Sequence, residues 1–384
     1  MNQPLRILAC NWRCLRHPQA GGAEANLFEQ ARRWARDGHS VTVFTADPGR
    51  RYAPDQDETV DGVEVRRVGG RFTVYLAALL FVLLHSREFD VILDVANGLP
   101  FFTQLVSRRP VTLLVHHVHD GQWFSEFPWP IAVVGRFIER HIVPWVYRNN
   151  AIIAVSPTTR DALVDSGVAA EQIRVVYNGV VGPSLPPPAP ESRDQDRIVY
   201  VGRLKRYKRL ERLVRSVASL RAEFPSIHLD VAGDGDGRED LLTIVDELGL
   251  RSHVTLHGFV DETAKAELLR SAALFATPSK YEGWGLSVIE ANAQGCPAVA
   301  YDVPGLRSAI RHGQTGLLAA DDGAFTSAIG LLLRDHDLRA RCAASAVVWA
   351  ARFDWDQCAA QTLAILTSSG AFAADEPALE AASA

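Results

Sequence analysis

The feature that most constrains this chain is an alternation, run twice, of short apolar strand-like segments with longer amphipathic ones. In the first half the strand-like runs are "RILAC", "VTVFTA", "VEVRRV", "DVILDV", "VTLLVHH", "AIIAVS" and "RVVY". Between them lie helical patterns such as "GGAEANLFEQARRWARDG", with Gly38 placed as its C-cap. Near-continuous apolar strands joined by helices mean a parallel sheet covered on both faces. The stretch "NGVVGPSLPPPAPESRDQD" then breaks all periodicity with proline and polar residues. After it come "RIVYVG", "HLDVAG", "HVTLHG", "ALFATPS", "PAVAY" and "GLLAA".

The expected architecture is α/β, with two Rossmann-like parallel-sheet domains facing a cleft. Residues 1–180 form the first domain, 181–196 the linker and 197–353 the second, with a tail at 370–384 too small and polar to order. A length of 384 residues accommodates two such domains. Ligands in open α/β folds sit beyond the carboxyl ends of the strands, so the informative residues should follow strands.

Bulk properties exclude several classes. A formal charge of −5 and a pI near 6.2 leave no basic field to recruit nucleic acid. The five cysteines are scattered, odd in number and without C-x-x-C or Cys/His ligand spacing, which fits a reduced cytoplasmic protein without structural zinc. "MNQPLRILAC" enters a strand at once, so no signal peptide is expected. The most apolar segment, "TVYLAALLFVLLH" at 73–85, is too short to span a bilayer. It reads as a buried helix, with a shallow peripheral membrane contact as the alternative.

Four constellations follow strands. In "KYEGWGLSVIE" Gly283 and Gly285 permit a sharp turn, and the backbone N–H groups of Gly285, Leu286 and Ser287 then open a helix, where phosphate is attracted. Glu290 is placed to hold a ribose and Glu282 the hydroxyls of a sugar; alternatively, Ser287-Val288-Ile289-Glu290 is a capping box and Glu290 is structural. In "VGRLKRYK", Arg203 and Lys208 flank a loop where two cations can neutralise a diphosphate, or simply face solvent. The pair Gly21-Gly22 opens a helix without the G-x-G-x-x-G dinucleotide pattern. "LLVHHVHDGQWFSEFPWP" supplies His116, His117 and His119, then Trp123 and further aromatic residues. Three histidines suggest a metal, but no acidic cluster or H-E-x-x-H pattern supports one, and a histidine facing a substrate fits better. "GDGDGRED" mimics a nucleotide or calcium loop, but its twelfth position from Asp234 is Val245; it reads as a strand-to-helix turn.

Taken together, "GGAE", "GRLKRYK", "EGWGLSVIE" and "VPGLRSAIRHGQTGLL" resemble, in order, the motifs of the retaining glycosyltransferases of family 4, which have the GT-B fold. The signature E-x7-E usually carries Phe where Trp284 stands. The resemblance implies a metal-independent transfer of a sugar from a nucleoside diphosphate to an acceptor, by front-face attack. It assigns Arg203 and Lys208, with the backbone of Leu286 and Ser287, to the diphosphate. Glu290 would take the ribose, Glu282 the transferred sugar, and the backbone near Phe259 and Val260 the base. Gly21, Gly22 and Gly285 complete the donor set. His119 is the favoured catalytic histidine, with His116, His117, Asn97 and Trp123 as acceptor-side candidates. A last helix at about 354–368 is expected to pack back on the first domain. A sugar-nucleotide epimerase of the same fold and a non-catalytic nucleotide-sugar binding protein are the alternatives; a dehydrogenase would need the missing fingerprint. Lipid-linked and soluble acceptors both remain open.

Overall fold

The computed structural model describes residues 3–17, 20–49, 52, 57–182 and 186–368. The tail expected at 370–384 lies outside the described residues. The first sheet is built from β1 (Arg6–Cys10), β2 (Ser40–Thr45), β3 (Asp57–Val60), β4 (Val63–Arg67), β5 (Val91–Asn97), β6 (Val111–His117), β7 (Ile152–Ala154) and β8 (Ile173–Val175). Its order is β3-β4-β2-β1-β5-β6-β7-β8, parallel throughout except for β3, which pairs antiparallel with β4 at the edge. The second sheet holds β9 (Asp194–Val201), β10 (His228–Ala232), β11 (Val254–Gly258), β12 (Ala272–Thr277), β13 (Ala298–Tyr301) and β14 (Gly316–Ala319). Its order is β11-β10-β9-β12-β13-β14, all parallel.

Both sheets reverse direction of strand addition beside their first strand, at β1/β5 and at β9/β12. Connections to the two sides leave on opposite faces there, so the loops splay apart and open a crevice at the carboxyl ends. The two switch points face each other. The loops after β1, β5 and β6 meet those after β9 and β12.

β9 starts at Asp194, inside the stretch read as linker. Arg193, just before it, is buried and donates through Nη1 to the carbonyls of Leu269, Arg270 and Ala272 at 3.1, 2.8 and 3.1 Å. Those bonds anchor the entry to the second domain.

The chain then returns. Val180 N–H donates to the Phe353 carbonyl at 3.1 Å where the outgoing and returning passages meet. The helix Trp355–Thr367 packs on the helix Gly22–Arg36 of the first domain. Trp34, 1% exposed, donates Nε1–H to the Ala359 carbonyl at 2.9 Å, and Arg33 Nε bonds Asp356 at 2.7 Å.

The helix Thr73–His85 corrects the expectation of a buried helix. Val74, Ala78 and Val82 form one stripe buried on the sheet, but Leu76, Leu80 and Leu84 form an opposite stripe that is 71, 57 and 66% exposed. Spacing of four residues places each trio on one face, and a two-residue offset places the trios on opposite sides. An all-apolar sequence gave no sign of which side faces out. Among the described residues, no helix is long and apolar enough to cross a membrane.

Candidate active site

The two domains touch at Gly283. A side chain there would put Cβ 2.2 Å from the His116 carbonyl oxygen, so only glycine lets the second-domain loop approach the end of β6. Ser156 Oγ donates to the Gly283 carbonyl at 2.7 Å and Thr159 Oγ1 lies 3.3 Å from it, pinning the same peptide from the first domain. A cavity of about 820 Å³ opens beside this contact, lined from both domains.

Gly285 is the N-cap of the helix Leu286–Ala293 and adopts φ +81, a left-handed conformation open to glycine at little cost. The helix therefore starts at Leu286, and Ser287 is its second residue. This corrects the capping-box alternative: Ser287 is not the N-cap, and Glu290 does not reach back. Instead Glu290 pairs with Lys265 Nζ at 2.8 Å, from the helix Glu262–Ser271. Burial pushes the Glu290 carboxyl up, and Lys265 opposes that rise. The first N–H groups of the helix have no intrahelical partner and form a ready anion site.

The loop "GRLKRYK" folds back on itself into a short turn at Arg206–Lys208. The turn "GDGDG" is its buttress: Leu204 N–H donates to the Asp234 carbonyl at 3.0 Å, and Gly237 N–H to the Leu204 carbonyl at 2.8 Å. A Cβ at Gly233 would lie 1.9 Å from the Gly202 carbonyl oxygen, so glycine is required for two backbones to stack there. Arg203 reaches across the cleft to the glycine pair, since a Cβ on Gly21 would meet its Nε at 3.4 Å. Gly22 faces Leu286 in the same manner, at 3.6 Å. Lys208 Nζ forms an ion pair with Glu282, so two of the expected donor contacts hold one another. Burial would pull Lys208 down, but Glu282 and the tyrosines Tyr207 and Tyr200 outweigh it and hold the ammonium raised.

On the first-domain side, His116, His117, His119, Asn97 and Trp123 all line the cavity. Burial lowers His116 to about 4 and His117 to about 3, so both are neutral near pH 7. The His117 and His119 rings lie 5.3 Å apart. The loop that carries His119 is clamped by a residue invisible to motif reasoning. Glu139 accepts from His119 N–H at 2.7 Å, Asp120 N–H at 3.0 Å and Trp123 Nε1–H at 2.8 Å. Burial alone would raise Glu139; bonds from His119 and Trp123 overcome it and hold the carboxyl below its usual value. Trp123 is thus 6% exposed and anchored, lying against Gly135, where a Cβ would come within 2.6 Å of its ring.

The structure brings Gly22, Asn97, the three histidines, Trp123, Arg203, Glu282, Gly285 and Leu286 to one cavity. Gly21, Lys208, Ser287 and Glu290 do not line it; Lys208 joins it through Glu282, and Gly21 and Ser287 are chain neighbours of lining residues. Phe259 and Val260 stand apart from the lining, and Phe259 is 88% exposed on the loop after the edge strand β11. Missed by motif reasoning are Arg13, Glu24, Glu139 and Lys265, each buried or paired by tertiary contact. Arg13 and Glu24 face the cleft beside Arg203. Among the described residues, no group of three or more His, Cys, Asp or Glu is placed to hold a metal ion.

Two facing parallel-sheet domains with this cleft define a GT-B fold. Residues 20–182 match the family described as Glycosyltransferase Family 4, and residues 185–349 match Glycosyl transferases group 1. D-inositol 3-phosphate glycosyltransferase of Acidothermus cellulolyticus is 30% identical over 397 residues, covering 92% of this chain and 85% of that protein. Among solved structures, sucrose-phosphate synthase from Thermosynechococcus elongatus superposes with a TM-score of 0.80 at 21% identity, covering 94% of this chain and 98% of that one. Anabaena HepE in complex with UDP and glucose superposes with a TM-score of 0.74 at 22% identity, covering 95% and 100%. The chain belongs to glycosyltransferase family 4, and it is a glycosyltransferase of the GT-B fold.

Proposed function

We propose that the protein transfers a sugar from a nucleoside-diphosphate sugar to an acceptor hydroxyl or other nucleophile, with retention of anomeric configuration and without a divalent metal. One observation carries the reading: Arg203, Lys208 and the N-terminus of Leu286–Ala293 converge beside Glu282, opposite histidines of the other domain. Cations and helix N–H groups are the counter-charge that a departing diphosphate needs. The likeness to a structure holding UDP supports a nucleoside diphosphate as leaving group.

In this reading the bond from sugar C1 to the β-phosphate oxygen breaks and its electron pair leaves with the diphosphate. The acceptor oxygen bonds C1 on the same face, and its proton passes to the departing phosphate. Glu282, paired with Lys208, orients sugar hydroxyls and does not act as a nucleophile. Glu290 takes the ribose, with Lys265 holding its charge. His119 contacts the transferred sugar from the first domain, with His116 and His117 behind it on the acceptor side. Domain contact at Gly283 excludes water from the donor. The cytoplasm fits the five cysteines, all buried and none paired.

The test is a thermal-shift screen of UDP, GDP, ADP and dTDP and their sugar conjugates against wild type and Arg203→Ala. One nucleotide diphosphate is expected to raise Tm in wild type and not in the variant. Turnover is then expected to persist in EDTA, with the product anomer matching the donor by NMR. Inactivation by EDTA reversed by magnesium, or an inverted product, would reject the respective part of the reading.

A further inference from the structure

The cavity does not end at the donor machinery. It continues into the first domain as an apolar trough between the start of helix Thr73–His85 and helix Trp129–Phe137. Its walls are Phe72, Tyr75, Phe102, Ile131, Val134 and Ile138. These are not incidental surface residues. Phe102 holds a left-handed backbone, φ +58, which costs a non-glycine residue about 1 kcal/mol. The corner is held there by the fully buried Asp94 carboxylate, which accepts from Phe101 N–H at 2.8 Å, Thr103 N–H at 3.0 Å, Thr103 Oγ1 at 2.7 Å and Tyr147 Oη at 2.6 Å. A buried, four-fold hydrogen-bonded carboxyl and a strained residue together fix the backbone that carries an aromatic ring of the trough wall.

Arg13 and Arg71 line the same cavity, Arg13 beside Glu24 and Arg203, and Arg71 with its guanidinium carbon 5.3 Å from the Phe72 ring centroid. Their guanidinium carbons lie 3.9 and 5.6 Å from the Trp12 ring centroid. The two helices that flank the trough also carry exposed apolar side chains. Phe72, just before helix Thr73–His85, and Leu76 and Leu84 on it are 74, 71 and 66% exposed, and Trp129, Val134 and Phe137 on the other helix are 71, 57 and 55% exposed. One cavity thus combines two guanidinium groups with an apolar wall, and the helices beside that wall expose further apolar side chains. It is the pattern of an amphiphile with a phosphate near the reacting end and a chain running out to a bilayer.

Resting on the transferase reading above, we propose that the acceptor is a phosphate-bearing lipid, its chain in this trough, its phosphate at Arg13 and Arg71, and its hydroxyl directed at the donor. An acceptor of this class must come from a reaction that attaches phosphate to a long-chain alcohol or glyceride, and the glycosylated product stays membrane-bound.

The test measures binding of monomeric decyl phosphate, below its micellar concentration, by intrinsic tryptophan fluorescence. Hexyl phosphate, decanol and inorganic phosphate are the comparisons, and UDP, GDP, ADP and dTDP are bound in parallel. Saturable binding is expected, tightening about fourfold per added methylene. Phe72→Asp and Val134→Asp, both at exposed positions, are expected to weaken it at least tenfold and leave nucleotide affinity unchanged. Arg71→Ala is expected to abolish the preference of the protein for decyl phosphate over decanol. Equal affinity in the aspartate variants, or no binding of the monomer, overturns the proposal. So does binding confined to phosphatidylglycerol vesicles, which makes the face a bilayer contact and not a substrate site. The nucleotide arm is scored separately: its failure faults the donor reading while the chain-length and variant series still decides the trough.

Discussion

Lys208 Nζ and the Glu282 carboxylate form a direct ion pair across 74 residues of chain, joining the loop after β9 to the loop after β12. Side chains on both partners are mostly buried, 12 and 15% exposed, so removal of either strands a charge. Lys208→Ala is expected to lower kcat about 100–1000-fold, as expected when one preorganised contact to developing charge is lost. Glu282→Gln keeps the shape but loses the charge; it is expected to lower kcat/KM with nucleotide-diphosphate affinity intact or increased. Steady-state kinetics beside nucleotide titrations separates the two effects, and weaker nucleotide binding in Glu282→Gln would contradict the assignment.

Lys265 supports Glu290 at 2.8 Å and opposes its burial-driven rise. Lys265→Met is expected to raise that carboxyl further and weaken nucleoside-diphosphate binding about tenfold at pH 6, with partial recovery at pH 8 as the carboxylate ionises. Isothermal titration at the two pH values checks this. A pH-independent loss would show that Lys265 acts on the ligand directly.

Gly283→Ala tests the domain contact. With Cβ 2.2 Å from the His116 carbonyl, the loop and β6 must separate. Activity is expected to fall more than tenfold while each domain stays folded, read by unchanged circular dichroism and by a larger radius of gyration in small-angle scattering. Normal activity would mean that this contact is not needed for turnover.

Acid should destabilise the fold through His116 and His117. Both are held neutral by burial, at about 4 and about 3, below the ordinary histidine value. A depressed histidine contributes stability in full above its unfolded pKa, near 6.5, and loses it as pH falls toward the folded value, because the unfolded chain then binds the extra proton. Between pH 7 and pH 5 the loss is roughly 1–2 kcal/mol per histidine. The Tm of wild type is expected to drop more over that interval than that of His117→Gln; parallel slopes would dismiss His117 as a contributor.

The second domain was the more legible in the sequence. Its six strands fall on the apolar runs, β9 beginning three residues earlier, and β10, β12, β13 and β14, buried along nearly their whole length, leave an almost unbroken signal. The missed strand, β3, reads "DETV": it is a half-exposed antiparallel edge and carries no such run. The site motifs were readable because tight turns demand glycine locally, as at Gly283 and Gly285. What those motifs touch was not readable. Glu290 fitted a capping box by spacing, and only the left-handed Gly285 moved the helix start by two residues and freed the carboxylate for Lys265. Glu139 clamps His119 from a π-helical turn 20 residues on, a relationship with no sequence period. Periodicity likewise showed that helix Thr73–His85 is apolar, but not that half of it is uncovered.

The helix Trp355–Thr367 covers Trp34 and its neighbours on the first domain, although nearly the whole second domain separates them in the chain. During synthesis the amino-terminal half emerges first but cannot close its own hydrophobic surface. That surface stays uncovered until the helix Trp355–Thr367 clears the ribosome, so the first domain, made before the second, is sealed after it.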